Sequence, residues 1–64
     1  MNKKDVCLIG AGGRKGRAIT ERLSISPNTY LKYAIDRPDA VFLGMDSGVY
    51  SGLNSNGIPY TSNI

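Results

Sequence analysis

Four glycines within seven residues, Gly10, Gly12, Gly13 and Gly16, constrain this chain more than anything else in it. They follow the apolar run Val6-Cys7-Leu8-Ile9 and are interleaved with the cations Arg14, Lys15 and Arg17. A short apolar run that ends at glycine suits a strand buried on both faces, as in a parallel sheet. Arg14 to Leu23 then reads as a helix, with Ala18, Ile19, Arg22 and Leu23 near one face and Pro27-Asn28 ending it. Tyr30 to Ile35 is a second apolar, aromatic-rich run, a strand closed by Pro38. The segment from Ala40 to Asn56 is rich in Gly, Ser and Asn around one apolar patch, Val41-Phe42-Leu43. It reads as a long ordered loop with room for a helical turn. Ile58 to Thr61 reads as a short third strand, at an edge or a strand end because of Pro59.

Strand, glycine turn, helix, strand is a βαβ unit with parallel strands. The expected fold is therefore α/β: the N-terminal portion of a Rossmann-type doubly wound parallel sheet, truncated, with a possible third strand. At 64 residues the chain is at most one small domain. A chain of this size buries only roughly 60% of its unfolded surface. The single cysteine excludes an internal disulfide and suits a reducing, cytoplasmic setting. No apolar run approaches a membrane span, and Asn2-Lys3-Lys4-Asp5 leads into too few apolar residues for a signal peptide. Histidine, the commonest general base, is absent.

The glycine spacing departs from G-x-G-x-x-G, because Lys15 stands where the last glycine would fall. It fits G-x-x-G-x-x-G through Gly10, Gly13 and Gly16, with Gly12 as an extra. The physical roles are related. Gly10 permits a tight turn off the strand. Gly12 and Gly13 leave no Cβ in the way of a pyrophosphate, and a branched side chain at Gly13 is expected also to force a disfavoured φ. Gly16 lets the helix pack closely. The helix N-terminus presents free N–H groups and a partial positive charge to an anion. Arg14, Lys15 and Arg17 oppose the helix dipole there, a cost that an anion would offset.

Asp36 ends the second strand run twenty residues after Gly16. An acid at that place accepts the adenosine ribose hydroxyls of a dinucleotide. Its neighbour Arg37 can pair with a 2′-phosphate through its fork. The pair suits either NADH or NADPH. The plain readings are a turn residue for Asp36 and a surface residue for Arg37. Cys7 reads as a small buried hydrophobe, Tyr30 and Tyr33 as packing residues, and no metal-ligand cluster is present. All eight basic residues lie between Lys3 and Arg37, against three acids there, Asp5, Glu21 and Asp36. A small basic nucleic-acid-binding module would want aromatics interleaved with those cations, which the sequence lacks.

The stretches "GAGGRKGR" at 10–17, "AIDRPD" at 34–39 and "FLGMDSGVYSGLNSNGIPYTSNI" at 42–64 resemble the N-terminal part of the dihydrodipicolinate reductases. The pattern Gly44-x-Asp46-x-Gly48-x-x-x-Gly52 makes the likeness specific, since other dinucleotide-binding proteins have no reason to share it. The resemblance implies a cytoplasmic, homotetrameric reductase of diaminopimelate and lysine biosynthesis. It would transfer hydride from NADH or NADPH to a cyclic dicarboxylate. It places the cofactor loop on Gly10, Ala11, Gly12, Gly13, Arg14 and Lys15, the ribose acid on Asp36 and the 2′-phosphate arginine on Arg37. Lys15 departs from the family's usual methionine, which leaves the cofactor preference open. Residues 1–64 are then a partial dinucleotide-binding domain, with the catalytic and substrate-binding domain outside the chain and no catalytic residue within it. The 64 residues alone are expected to be inactive. Another Rossmann oxidoreductase or a nucleotide sensor is the alternative reading.

Overall fold

A computed structural model describes residues 3–63; Asn2 of the N-terminal stretch and Ile64 of the last matching segment lie outside the described residues. The elements in chain order are β1 (Lys4–Ile9), α1 (Arg14–Ser24), β2 (Thr29–Ile35), α2 (Ser47–Tyr50) and β3 (Tyr60–Thr61). The three strands form one parallel sheet in the order β1-β2-β3. This is the expected βαβ unit extended by a third strand. The third strand is shorter than the 58–61 run, because proline has no N–H for the ladder and Pro59 makes only an isolated bridge to Asp46.

One face of the sheet is covered. Leu31, Ala34 and Tyr60 form the core with Ala11, and Leu8, Leu23, Phe42, Leu43, Tyr50 and Ile58 pack against it. The other face is largely open, which corrects the expectation of a doubly buried first strand. Val6 and Leu8 are half-buried while Cys7 and Ile9 between them are exposed. Cys7 is therefore not a buried hydrophobe. Tyr30 and Tyr33, at 39% and 52% exposed, lie outside the buried core as well. The reason is layering: a strand is buried twice only where a second layer lies on its other face.

A register shift between Val6 and Cys7 shapes β2. Val6 pairs with Leu31 and Cys7 with Tyr33, so Lys32 is the extra residue of a bulge. Lys32 and Tyr33 both face outward, and Leu31 and Ala34 both reach the core despite a spacing of three.

The helix also turns differently from its apolar pattern. Its buried residues are Gly16 and Thr20, with Leu23 half-buried, while Ala18 and Ile19 are exposed. Small residues face inward because the helix lies close to the turn that precedes it. Thr20 Oγ1 donates to the Gly16 carbonyl at 2.9 Å, so the one buried hydroxyl of that face is satisfied.

The 40–58 connection is held by Asp46. Its carboxylate accepts from Val49 N–H (3.0 Å), Ser55 Oγ (2.7 Å), Gly57 N–H (2.9 Å) and Asn56 N–H (3.2 Å). It thereby caps the short α2 and closes the loop that follows. Gly44 and Gly52 flank this hub at φ +85° and +83°, a conformation that favours glycine. A Cβ on Gly48 would run into the Asn54 carbonyl. The Gly44-to-Gly52 pattern is thus a folding device.

The Val49 N–H and then the Ser55 hydroxyl, with the Gly57 and Asn56 amides, hold the Asp46 carboxyl well below the usual carboxylate range. A depressed value in the fold means that the stability Asp46 lends is complete above the unfolded value, about pH 4, and is lost as pH falls through the lower folded one. Asp46→Asn is expected to lower the denaturant midpoint at neutral pH and to flatten its decline below about pH 4. Denaturation series between pH 2 and 7 measure this; an unchanged acid limb would show that the hub contributes nothing to it.

Candidate functional site

β1 delivers the chain to Gly10, whose φ of +74° turns it away from the sheet. The N–H groups of Gly10 and Ala11 both donate to the Ile35 carbonyl, at 2.8 and 3.0 Å, and tie the turn to the end of β2. Gly13 N–H closes back on the Gly10 carbonyl at 3.2 Å.

The four glycines have separate reasons. Gly10 supplies the turn. Gly12 is buried, and a Cβ there would enter the Phe42 ring. Gly16 is buried, and a Cβ there would meet the Gly10 carbonyl and the Ala11 backbone. Gly13 faces open space, as Gly10 does, with only the Gly10 carbonyl 3.6 Å from a Cβ position, but unlike Gly10 it has an ordinary φ of −75°. The expectation of a disfavoured φ at Gly13 is therefore corrected. The room left by a missing Cβ at Gly12 is filled by Phe42.

Helix α1 starts at Gly13 with no side-chain cap and no acid in its first turn. Its first intrahelical bond runs from Arg17 N–H to the Gly13 carbonyl at 2.9 Å. The N–H groups of Arg14, Lys15 and Gly16 therefore lack an intrahelical partner, as at any helix start. An uncapped start flanked by exposed cations is electrostatically suited to an anion. Arg14 and Lys15 are exposed beside it. Arg17 has turned aside, with its guanidinium 5.5 Å from the Tyr50 ring centre.

Asp36 follows β2 and is half-buried. Its Oδ2 accepts Gly12 N–H at 2.9 Å and its Oδ1 accepts Arg37 N–H at 2.8 Å. The residue read as a ribose acceptor is thus already bound to the glycine turn. Each oxygen keeps acceptor capacity, since a carboxylate offers about four lone-pair sites. Arg37 is 80% exposed, and its Nε lies 3.7 Å from Asp39 Oδ1. An exposed pair of this kind holds little, so the guanidinium is free to swing. A groove of about 300 Å³ adjoins Asp36 and Arg37, lined also by Ile9, Gly10, Ile35 and Pro38.

The structure thus brings Gly10, Ala11, Gly12, Gly13, Arg14, Lys15, Asp36 and Arg37 to one end of the sheet, outside the carboxyl ends of β1 and β2. That is where open α/β sheets bind ligands. Sequence reasoning missed Phe42, whose signal was its place in the one apolar patch of the connection. Among the described residues no acidic, cysteine or histidine group could hold a metal ion, and no helix is long and apolar enough to cross a membrane.

Comparisons with known proteins identify the family. Residues 4–64 match the family model described as dihydrodipicolinate reductase, N-terminus. The 4-hydroxy-tetrahydrodipicolinate reductase of Rhodopseudomonas palustris (strain BisB5) is 36% identical over 64 residues, all of this chain and 24% of that protein. The protein of the same name from Bradyrhizobium diazoefficiens is 38% identical over the same share. That from Chromobacterium violaceum is 38% identical over 52 residues, 81% of this chain and 20% of its own length. The chain spans about a quarter of the length of these curated relatives. With the glycine turn, the acid after β2 and the Asp46 hub all inside the matched stretch, the chain belongs to the dihydrodipicolinate reductase family, as its N-terminal part.

Proposed function

We propose that this chain is the NADH- or NADPH-binding part of a 4-hydroxy-tetrahydrodipicolinate reductase. The observation that carries the reading is the uncapped start of α1, with the Arg14, Lys15 and Gly16 amides unengaged, beside the groove at Asp36 and Arg37. The residues fit a dinucleotide. Gly13 leaves room for a pyrophosphate, the helix amides and Arg14 and Lys15 face its charge, and Asp36 keeps acceptor capacity for ribose hydroxyls. Arg37 would pair with a 2′-phosphate where one is present.

The reduced nicotinamide supplies the hydride. This chain's part is to bind and orient the carrier, and the cyclic dicarboxylate would be held by residues outside it. The pathway would be diaminopimelate and lysine biosynthesis, in a cytoplasmic homotetramer. The match to proteins with this reductase name favours the reading over another Rossmann oxidoreductase or a nucleotide sensor.

Calorimetry of the full-length protein with NADPH and NADH tests it. Arg37→Ala should weaken NADPH by about 1.5–3 kcal/mol, roughly ten- to a hundredfold, because a charge-assisted pair is lost. NADH should change far less. Lys15 can supply a second cation, so Lys15→Ala combined with Arg37→Ala should widen the NADPH loss. Asp36→Ala should weaken NADH most, and it should weaken NADPH too, because it also releases Gly12 N–H. A ratio of NADPH to NADH affinity that no variant moves would remove Asp36 and Arg37 from cofactor choice.

A further inference from the structure

We propose that Phe42 is a positioning residue for the glycine turn, setting the place at which the free amides of α1 are presented. The proposal rests on the dinucleotide reading above. Phe42 lies in the connection between β2 and β3, outside the glycine turn and the Asp36-Arg37 pair. Its ring is nevertheless what a Cβ on Gly12 would strike, through its ζ and ε carbons. Gly12 thus rests on the edge of that ring.

The ring is itself fixed. It lies tilted on Tyr50, with centres 4.9 Å apart, and edge-on to Tyr60 at 4.8 Å. Tyr50 and Tyr60 meet edge-on at 5.6 Å, which closes the triad. Tyr60 is the anchor, 2% exposed and in the strand beside β2. Arg17 of α1 reaches over Tyr50. The three rings therefore brace both the turn and the first turn of the helix it opens.

Gly12 is then held twice: its N–H by Asp36 and its Cα by Phe42. The peptide that follows leads into Gly13 and the amides of Arg14, Lys15 and Gly16. A glycine is free to rotate unless its neighbours fix it, and an anion cradle works by preorganisation. Phe42 supplies the half of that fixing which the acid cannot, since a hydrogen bond at the nitrogen leaves the Cα side open.

A residue that only fills the core would change stability and leave affinity alone. A positioning residue changes affinity in a protein that still folds. The test uses the full-length reductase, with calorimetry against NADPH, steady-state kinetics and thermal melts. The variants are Phe42→Leu, Gly12→Ala and the two together.

Phe42→Leu is expected to stay folded, to bind NADPH about tenfold more weakly and to raise KM for NADPH with little change in kcat. Gly12→Ala is expected to weaken binding more. The double variant should bind more tightly than Gly12→Ala alone, because the new methyl takes the space the ring edge has left. An affinity of folded Phe42→Leu within about twofold of wild type, or strictly additive losses in the double variant, would overturn the proposal. If Gly12→Ala does not fold alone, recovery of a folded, NADPH-binding protein on adding Phe42→Leu supports it and no recovery overturns it. A wild type that binds neither NADPH nor NADH would instead remove the dinucleotide reading itself.

Discussion

Gly16→Ala is expected to destabilise the protein by about 3 kcal/mol, the upper end of the usual cost of overpacking. On an ordinary helix surface the same change stabilises by up to about 1 kcal/mol, because alanine has the higher helix propensity. Here the sign reverses. The methyl would be driven into the Gly10 carbonyl and the Ala11 backbone. Those atoms cannot step aside: Gly10 and Ala11 are both bonded to the Ile35 carbonyl, and the Gly10 carbonyl also accepts Gly13 N–H. The helix must move away from the turn instead, and Thr20 and Leu23 would leave the core with it. Urea denaturation measures the cost; a stability equal to or above that of the wild type would show that α1 does not bear on the turn.

Gly13→Val is expected to do the opposite: spare the fold and remove cofactor binding. The backbone at Gly13 is extended, with φ −75° and ψ 175°, and the space beside it is open. A valine there costs the helix start about 1 kcal/mol or less, because no side-chain cap is lost. Its two methyls fill the room in front of the free amides, and NADPH and NADH should both bind roughly a hundredfold more weakly, a steric penalty near 3 kcal/mol. Calorimetry on the folded variant decides the matter, and unchanged affinity would mean that the glycine turn is no more than a turn. Gly13 and Gly16 stand three apart in one motif, so the pair separates a site from the scaffold that carries it.

The order of elements was legible because each left a local mark. An apolar run into glycine gave β1, the breaker at Pro27 gave the end of α1, and the aromatic-rich run before Pro38 gave β2. The helical turn within residues 40–56 proved to be α2. Which faces are covered was not legible. Cys7 and Ile9 sit in an apolar run that reads as buried twice, yet exposure depends on layers that no local pattern encodes. The face of α1 was misread for a related reason. Close approach selects Gly16 and Thr20, whereas a search for apolar spacing selects Ile19. At the candidate site, spacing gathered the glycines and the acid but could not say where each Cα points. Hence the distinction between Gly12 against Phe42 and Gly13 against open space came only from the structure. Asp46 was visible as part of a likeness, and its role needed four donors that sequence separates by up to eleven residues.

The uncapped start of α1 has a thermodynamic consequence. Arg14 and Lys15 stand at the positive end of the helix with no acid to offset them, so the folded protein carries a standing electrostatic penalty that the unfolded chain does not. Any anion that settles on the free amides binds one state and not the other. Melting temperature then becomes a gauge of occupancy, with a ligand at a hundred times its dissociation constant adding about 2.7 kcal/mol. Sulfate or inorganic phosphate would lift the curve modestly, and a dinucleotide would lift it further by engaging Asp36 as well. On the dinucleotide reading proposed above, the polypeptide in a cell would seldom meet its own bare stability.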